Sequence, residues 1–214
     1  MLVVHHLGMS QSERIVWLCE ELAIPYRLVR YERDPVTRLA PAEYKALHSF
    51  GTAPVITDGD LTLGESGAII EYLIARYGSG RLAASPESPH YADYLYWFHF
   101  ANGSMMPASI IDIILLMLGG VTAPESTLQA LRARGDRAFA MVDQRLGEVR
   151  YFAGGDFTAA DIMMLFPLTT MRRFVPRDLS GYANIRAYLQ RIGARAAYAS
   201  AMAKADPGLT PLLQ

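Results

Sequence analysis

The spacing of apolar residues changes part-way along the chain, and the two halves predict different architectures. Leu2 to His5 is a short apolar run, a strand candidate, followed by a loop at Leu7-Gly8-Met9-Ser10-Gln11. From about Ser12 to Leu22, Ile15, Leu18, Cys19 and Leu22 recur every three or four positions, while Glu13, Arg14, Glu20 and Glu21 fall mostly elsewhere. That is the period of a helix with one buried stripe. Pro25 stops the helix, and Tyr26 to Tyr31 then alternates as a strand does. Strand, helix, strand predicts a parallel pair joined by a crossover. Pro41 to Leu47 reads as a short helix. A proline-led strand at Pro54 to Thr57, a tight turn at Asp58-Gly59, a second short strand and a helix from Glu65-Ser66 to about Tyr77 complete the order β-α-β-α-β-β-α over residues 1–78. Residues 79–89, with Ser79, Gly80, Ser85, Pro86, Ser88 and Pro89, have linker composition. Residues 90–214 show helical periods only: Tyr91 to Leu118 with a break at Pro107, Pro124 to Glu148, Ala159 to Arg172, Asn184 to Ile192 and Arg195 to Ala203.

Two short stretches carry chemistry. A proline cannot donate a ladder hydrogen bond, so Pro54 at a strand entrance marks either an edge strand or a cis bond that turns the backbone outward. Turned outward, the N–H and C=O of Val55 are free to pair with another peptide, as in strand addition. Ser66 stands where a helix leaves its first N–H groups without partners, a place that suits a carboxylate. Together they describe a receptor for a small acidic peptide. Thr158-Ala159-Ala160-Asp161 is a capping pair that nucleates a buried helix, and its acid belongs to that structural task.

Composition narrows the class. The chain has 214 residues, 51% of them hydrophobic, and a formal net charge of −1, enough for one large or two small domains with real cores. Without a basic run there is no footprint for nucleic acid. The most aliphatic run, Ser109 to Leu118, is closed by Gly119-Gly120 and falls short of the roughly twenty residues needed to span a bilayer. Met1-Leu2-Val3-Val4-His5-His6 has no charged start and no small-residue cleavage site, so no signal peptide is expected. The single cysteine, Cys19, allows no internal disulfide and sits on an apolar helix face, which suits a buried packing thiol in a cytoplasmic protein. His5 and His6 lack a partner at metal-ligand spacing and read as packing residues.

Ser10-Gln11-Ser12-Glu13-Arg14-Ile15-Val16-Trp17-Leu18, Gly51-Thr52-Ala53-Pro54-Val55, Glu65-Ser66-Gly67-Ala68-Ile69 and the Thr158 to Asp161 box, in this order and spacing, make the whole chain resemble a cytosolic glutathione transferase of the bacterial and fungal serine-loop type. The resemblance implies an α/β thioredoxin-like N-terminal domain and an all-α C-terminal helical bundle domain. It implies glutathione as co-substrate, no metal, and a small hydrophobic electrophile, with no nucleic acid or membrane partner. By it, Val55 beside Pro54 holds the cysteinyl backbone, Glu65 the γ-glutamyl ammonium and Ser66 the γ-glutamyl carboxylate. Thr52 faces the glycyl carboxylate, His48 either joins it there or serves the end of the preceding short helix, and Met9, Ser10 and Gln11 form the loop at the sulfur. Ser10 donates to the thiolate, with Ser12 the alternative. A hydrogen bond to a charged group contributes about 1.5–3 kcal/mol, and one pKa unit is about 1.4 kcal/mol, so one such bond brings a thiol from about 8.5 to near 7. Asn102, Met105, Met106 and Ser109 are candidates for the electrophile pocket, and the aromatic group Tyr94, Tyr96, Trp97, Phe98, His99 and Phe100 for core and interface of a detoxifying homodimer. On the same site, peroxidase, isomerase or dehalogenase chemistry and a non-catalytic glutathione-fold binding module are the alternatives.

Overall fold

A computed structural model describes residues 1–117 and 124–214; the expected end of the aliphatic run at Leu118 to Gly120 lies outside them. The chain divides into one unit of Met1–Ala83 with Gly193–Pro211 and another of Ala84–Ile192 with Leu212–Gln214.

In the first unit the elements are β1 (Leu2–Leu7), α1 (Glu13–Leu22), β2 (Arg27–Tyr31), α2 (Ala42–Lys45), β3 (Val55–Asp58), β4 (Leu61–Gly64) and α3 (Ser66–Arg76), the expected order. They build a four-stranded sheet in the order β2-β1-β3-β4. β1 runs parallel to β2 and antiparallel to β3, and β4 is antiparallel to β3. β1 is central, and all six of its residues are buried, as a strand covered on both faces must be. Successive side chains alternate faces: Leu7 joins Tyr44 and Val55 in one apolar cluster, and His6, on the opposite face, meets α1 through Ser12.

The sequence places Glu13 and Arg14 on the polar side of α1, yet both are buried, at 3% and 1% exposure. Arg14 reaches Ser66 at the start of α3, and a further helix, numbered α9 below (Ala196–Ala205), packs along the polar side of α1. Trp17 and Tyr198 meet edge to face at 5.1 Å. Arg195 forks onto Glu21, Nε to Oε1 and Nη2 to Oε2, both 2.7 Å. Lys204 and Ser200 donate to the two oxygens of Glu20 at 2.7 and 2.8 Å. Residues 193–211 therefore belong with the first unit, whereas sequence patterning assigns all of 90–214 to the helical domain.

The second unit holds α4 (Tyr91–Phe100), α5 (Met106–Met117), α6 (Glu125–Glu148), α7 (Ala159–Leu168) and α8 (Ala183–Gly193). Its helix break is not at Pro107. A π-helical turn, Ala101–Met105, separates α4 from α5: the Met106 N–H reaches back to the Ala101 carbonyl, and Pro107, which has no N–H, follows it as the second residue of α5. α7 is buried at every residue. The capping pair forms as expected: the Asp161 carboxylate accepts the Thr158 N–H at 2.9 Å, and also the Phe152 N–H at 3.1 Å and the Tyr188 hydroxyl at 3.2 Å. Of the aromatic group on α4, Tyr94, Trp97 and Phe98 are buried and Tyr96 is 48% exposed.

Candidate active site

The first unit brings most of the expected residues to the ends of β1 and β3 and the starts of α1 and α3. Of the two readings of Pro54, the cis bond is the one realised: Ala53-Pro54 is cis and β3 is an interior strand. Val55, whose backbone the outward-turned reading expects to be free, stands within the ladder. It lies opposite His5 on one side and Gly64 on the other, and 1% of it is exposed. The peptide left outside the ladder is that of Ala53, one residue earlier.

At the start of α3, Glu65 occupies the helix N-cap at φ 69°, a left-handed conformation that a non-glycine residue adopts at a cost of about 1–3 kcal/mol. Its side chain is exposed, while Ser66 is buried as the first helical residue. Behind Ser66 lies Arg14, whose Nη1 donates to Ser66 Oγ at 3.3 Å and also to Gln11 Oε1. Burial lowers the Arg14 guanidinium to about 9, against the opposing pull of Glu13, so it remains cationic at neutral pH. A fixed cation therefore stands at the positive end of a helix dipole, two features that favour an anion at the same point. The His48 ring lies over Gly64, where a side chain on Gly64 would meet it at 3.4 Å, and its Nδ1 accepts the Phe50 N–H at 3.3 Å. Thr52 is exposed between them and the cis bond.

The loop before α1 is built differently from a simple helix cap. Ser12 takes the N-cap position but does not cap with its side chain. Its Oγ instead accepts the buried Leu7 N–H at 3.1 Å, lies 2.9 Å from His6 Nδ1 and 2.7 Å from Ser10 Oγ. Ser10 Oγ also accepts the Ser12 N–H at 3.2 Å, and 4% of Ser10 remains exposed. On its far side His6 reaches Asp206, Nε2 to Oδ2 at 3.2 Å, and the other oxygen of Asp206 accepts the Met9 N–H at 3.1 Å. That bond helps hold Met9 at φ 50°, and Arg33 donates to the carbonyls of Gly8 and Met9 at 2.9 and 3.4 Å. Burial pushes the Asp206 carboxyl up, but the hydrogen bond from His6, the Met9 amide and Arg30 outweigh it and hold it below the usual range.

Sequence patterning did not assign His6, Asp206, Arg14 or Arg33 to the site. The alternation of β1 separates His6 from His5, which instead bonds Tyr31 and Thr57, but nothing local marks a partner 200 residues away. Cys19 behaves as expected: it is fully buried, and desolvation, with Glu20 nearby, pushes its thiol up to about 12. Among the described residues no group of three or more His, Cys, Asp or Glu side chains is arranged to hold a metal ion. Of the proposed pocket residues in the second unit, Met105, Met106 and Ser109 are buried, with Ser109 donating to the Met105 carbonyl, and Asn102 is partly exposed.

A thioredoxin-like sheet entered through a cis proline, with a cation-backed helix start beside it, is the frame of a thiol-peptide-binding domain. Comparison with known proteins agrees. Residues 8–76 match the glutathione S-transferase N-terminal domain and residues 125–191 the corresponding C-terminal domain. The chain is 30% identical over 222 residues to glutathione S-transferase 3 of Schizosaccharomyces pombe, covering 96% of this chain and 88% of that one. It superposes with a TM-score of 0.88 on the crystal structure of a glutathione S-transferase from Actinobacillus pleuropneumoniae, at 34% identity, covering 98% of this chain and 94% of that one. A sphingomonad glutathione S-transferase solved with glutathione shares the fold, with a TM-score of 0.74 and 20% identity over 97% of this chain and all (100%) of the other. The chain belongs to the glutathione S-transferase family and is a glutathione transferase.

Proposed function

We propose that this enzyme activates glutathione as a thiolate for attack on a small hydrophobic electrophile, and that the residues assembled in the first unit hold the tripeptide. The reading is carried by the start of α3. Ser66 opens the helix, Arg14 is buried behind it, and Glu65 is held at φ 69°, so its carboxylate and the first helical amides serve the two charges of one γ-glutamyl group. The Ala53 peptide, rather than that of Val55, offers N–H and C=O to the cysteinyl residue. His48 and Thr52 lie towards the glycyl end, and Ser10 meets the sulfur. The helical domain supplies the apolar pocket for the second substrate, and catalysis is thiolate formation plus proximity. Exposed Leu95 and Tyr96 on α4 support self-association as a homodimer; a cytoplasmic location and a detoxifying role accord with the transferase reading.

Calorimetric titration with glutathione tests the binding site. Ser66→Ala removes a hydrogen bond to a charged group worth about 1.5–3 kcal/mol, so affinity should fall about ten- to a hundredfold. An unchanged affinity moves the γ-glutamyl group elsewhere. Turnover with an aryl halide, set against turnover with an organic hydroperoxide, decides between transfer and peroxidase chemistry.

A further inference from the structure

With His6 neutral, donor and acceptor counting along the chain Asp206, His6, Ser12, Ser10 orders its protons. An ionised carboxylate only accepts, so His6 must donate Nε2–H to Asp206. With His6 taken as the neutral imidazole, a bare Nδ1 faces Ser12 at 2.9 Å, and the Ser12 hydroxyl donates to it in preference to the Leu7 carbonyl, which lies farther off at 3.4 Å. With its one proton committed, Ser12 Oγ is an acceptor for Leu7 N–H and for Ser10, and at 2.7 Å the Ser10 hydroxyl donates to it. In this resting arrangement Ser10 faces the sulfur with a lone pair and has no proton to give a thiolate. Asp206 is itself a carboxylate at the C-terminal end of α9, the end of a helix dipole that disfavours negative charge, and it is held there by His6 and the Met9 amide.

Resting on the assignment of Ser10 to the sulfur, we infer that His6 is the destination of the glutathione thiol proton, which it receives through Ser10 and Ser12 while Asp206 holds the resulting imidazolium. The S–H bond breaks with its electron pair left on sulfur, and its proton goes to Ser10 Oγ. Ser10 passes its own proton to Ser12 Oγ, and Ser12 passes its own to His6 Nδ1. Each hydroxyl gains one proton and loses one, so both stay neutral. Both now point the other way: Ser12 donates to Ser10, and Ser10 donates to the thiolate. One proton transfer thus forms the nucleophile and creates the hydrogen bond that stabilises it. Ser10 alone touches the thiol; Ser12, His6 and Asp206 are positioning residues behind it. The other charged groups around the pair are Arg30, opposite His6 in the β1–β2 register, and Glu32 and Arg33 just beyond β2.

Nitrogen NMR of the His6 ring in the full chain tests this directly. Saturating glutathione should move Nδ1 from the unprotonated to the protonated range, and S-methylglutathione, which has no thiol proton, should not. Ultraviolet titration of the bound thiolate is the second measurement. His6→Asn keeps an acceptor towards Ser12 but takes no proton, and Ser12→Ala cuts the chain. Each should raise the bound thiol's pKa by about one unit, a tenfold loss of thiolate at neutral pH, and the double variant should do no more than either alone. A thiolate formed in the wild type with Nδ1 still bare overturns the relay, as does either variant leaving the thiol titration in place while glutathione still binds. If wild-type calorimetry gives no heat with glutathione, the binding-site assignment falls, and the relay with it.

Discussion

Replacing Asp161 by Asn tests the energetics of the second unit's core. The carboxylate is fully buried and takes four hydrogen bonds: Phe152 N–H and Tyr188 hydroxyl on Oδ1, Thr158 N–H and hydroxyl on Oδ2. An amide has one acceptor oxygen, so in either orientation its NH2 faces one of the two backbone N–H groups. A buried donor left without a partner costs about 1–3 kcal/mol, and that is the expected loss at neutral pH. The carboxyl also titrates abnormally: burial raises it from 3.8 to about 6, against the lowering pull of its four donors. The folded value lies above the unfolded one, so folding favours the protonated acid. The wild type therefore loses stability as pH rises through the interval between 3.8 and about 6, and is flat above it. Integrated between about pH 5 and pH 7.5, that loss is roughly 1 kcal/mol. The amide does not titrate, so the gap between wild type and variant should narrow by about 1 kcal/mol over the same interval. Reversible urea unfolding at both pH values reads it as a difference in midpoints at constant slope. A gap below about 0.5 kcal/mol, within the range of ordinary surface substitutions, or one that widens with pH, refutes the reasoning.

Two further outcomes follow from the packing around α1. Arg195→Ala removes the two-pronged contact to Glu21, whose side chain is only 9% exposed, and should destabilise the protein by about 1–3 kcal/mol in the same urea assay. A change under about 0.3 kcal/mol would show that the pair behaves as a solvated surface bridge. Cys19, fully buried with its thiol raised to about 12, should resist an aromatic disulfide reagent in the native protein and react on unfolding. Rapid native-state labelling would mean that the apolar face of α1 opens in the native protein.

Much of this protein is written in short-range pattern. Apolar period and turn residues suffice for the order β-α-β-α-β-β-α, for the helical second half and for the pairing of Thr158 with Asp161, because each depends on residues within a few turns of one another. Pro54 and Ser66 were legible for the same reason: a missing N–H and a helix start are local facts. Tertiary packing decided the rest. Glu13 and Arg14 look solvated until α9 and the start of α3 pack against α1, and Pro107 looks like a break until the π turn before it takes that place. Ser12 looks like a cap until its hydroxyl is claimed by Leu7, His6 and Ser10. Asp206 stands 200 residues from His6, and no periodicity spans that distance. A side chain with several satisfiable partners takes those that packing brings within about 3 Å, and only the folded chain sets which they are.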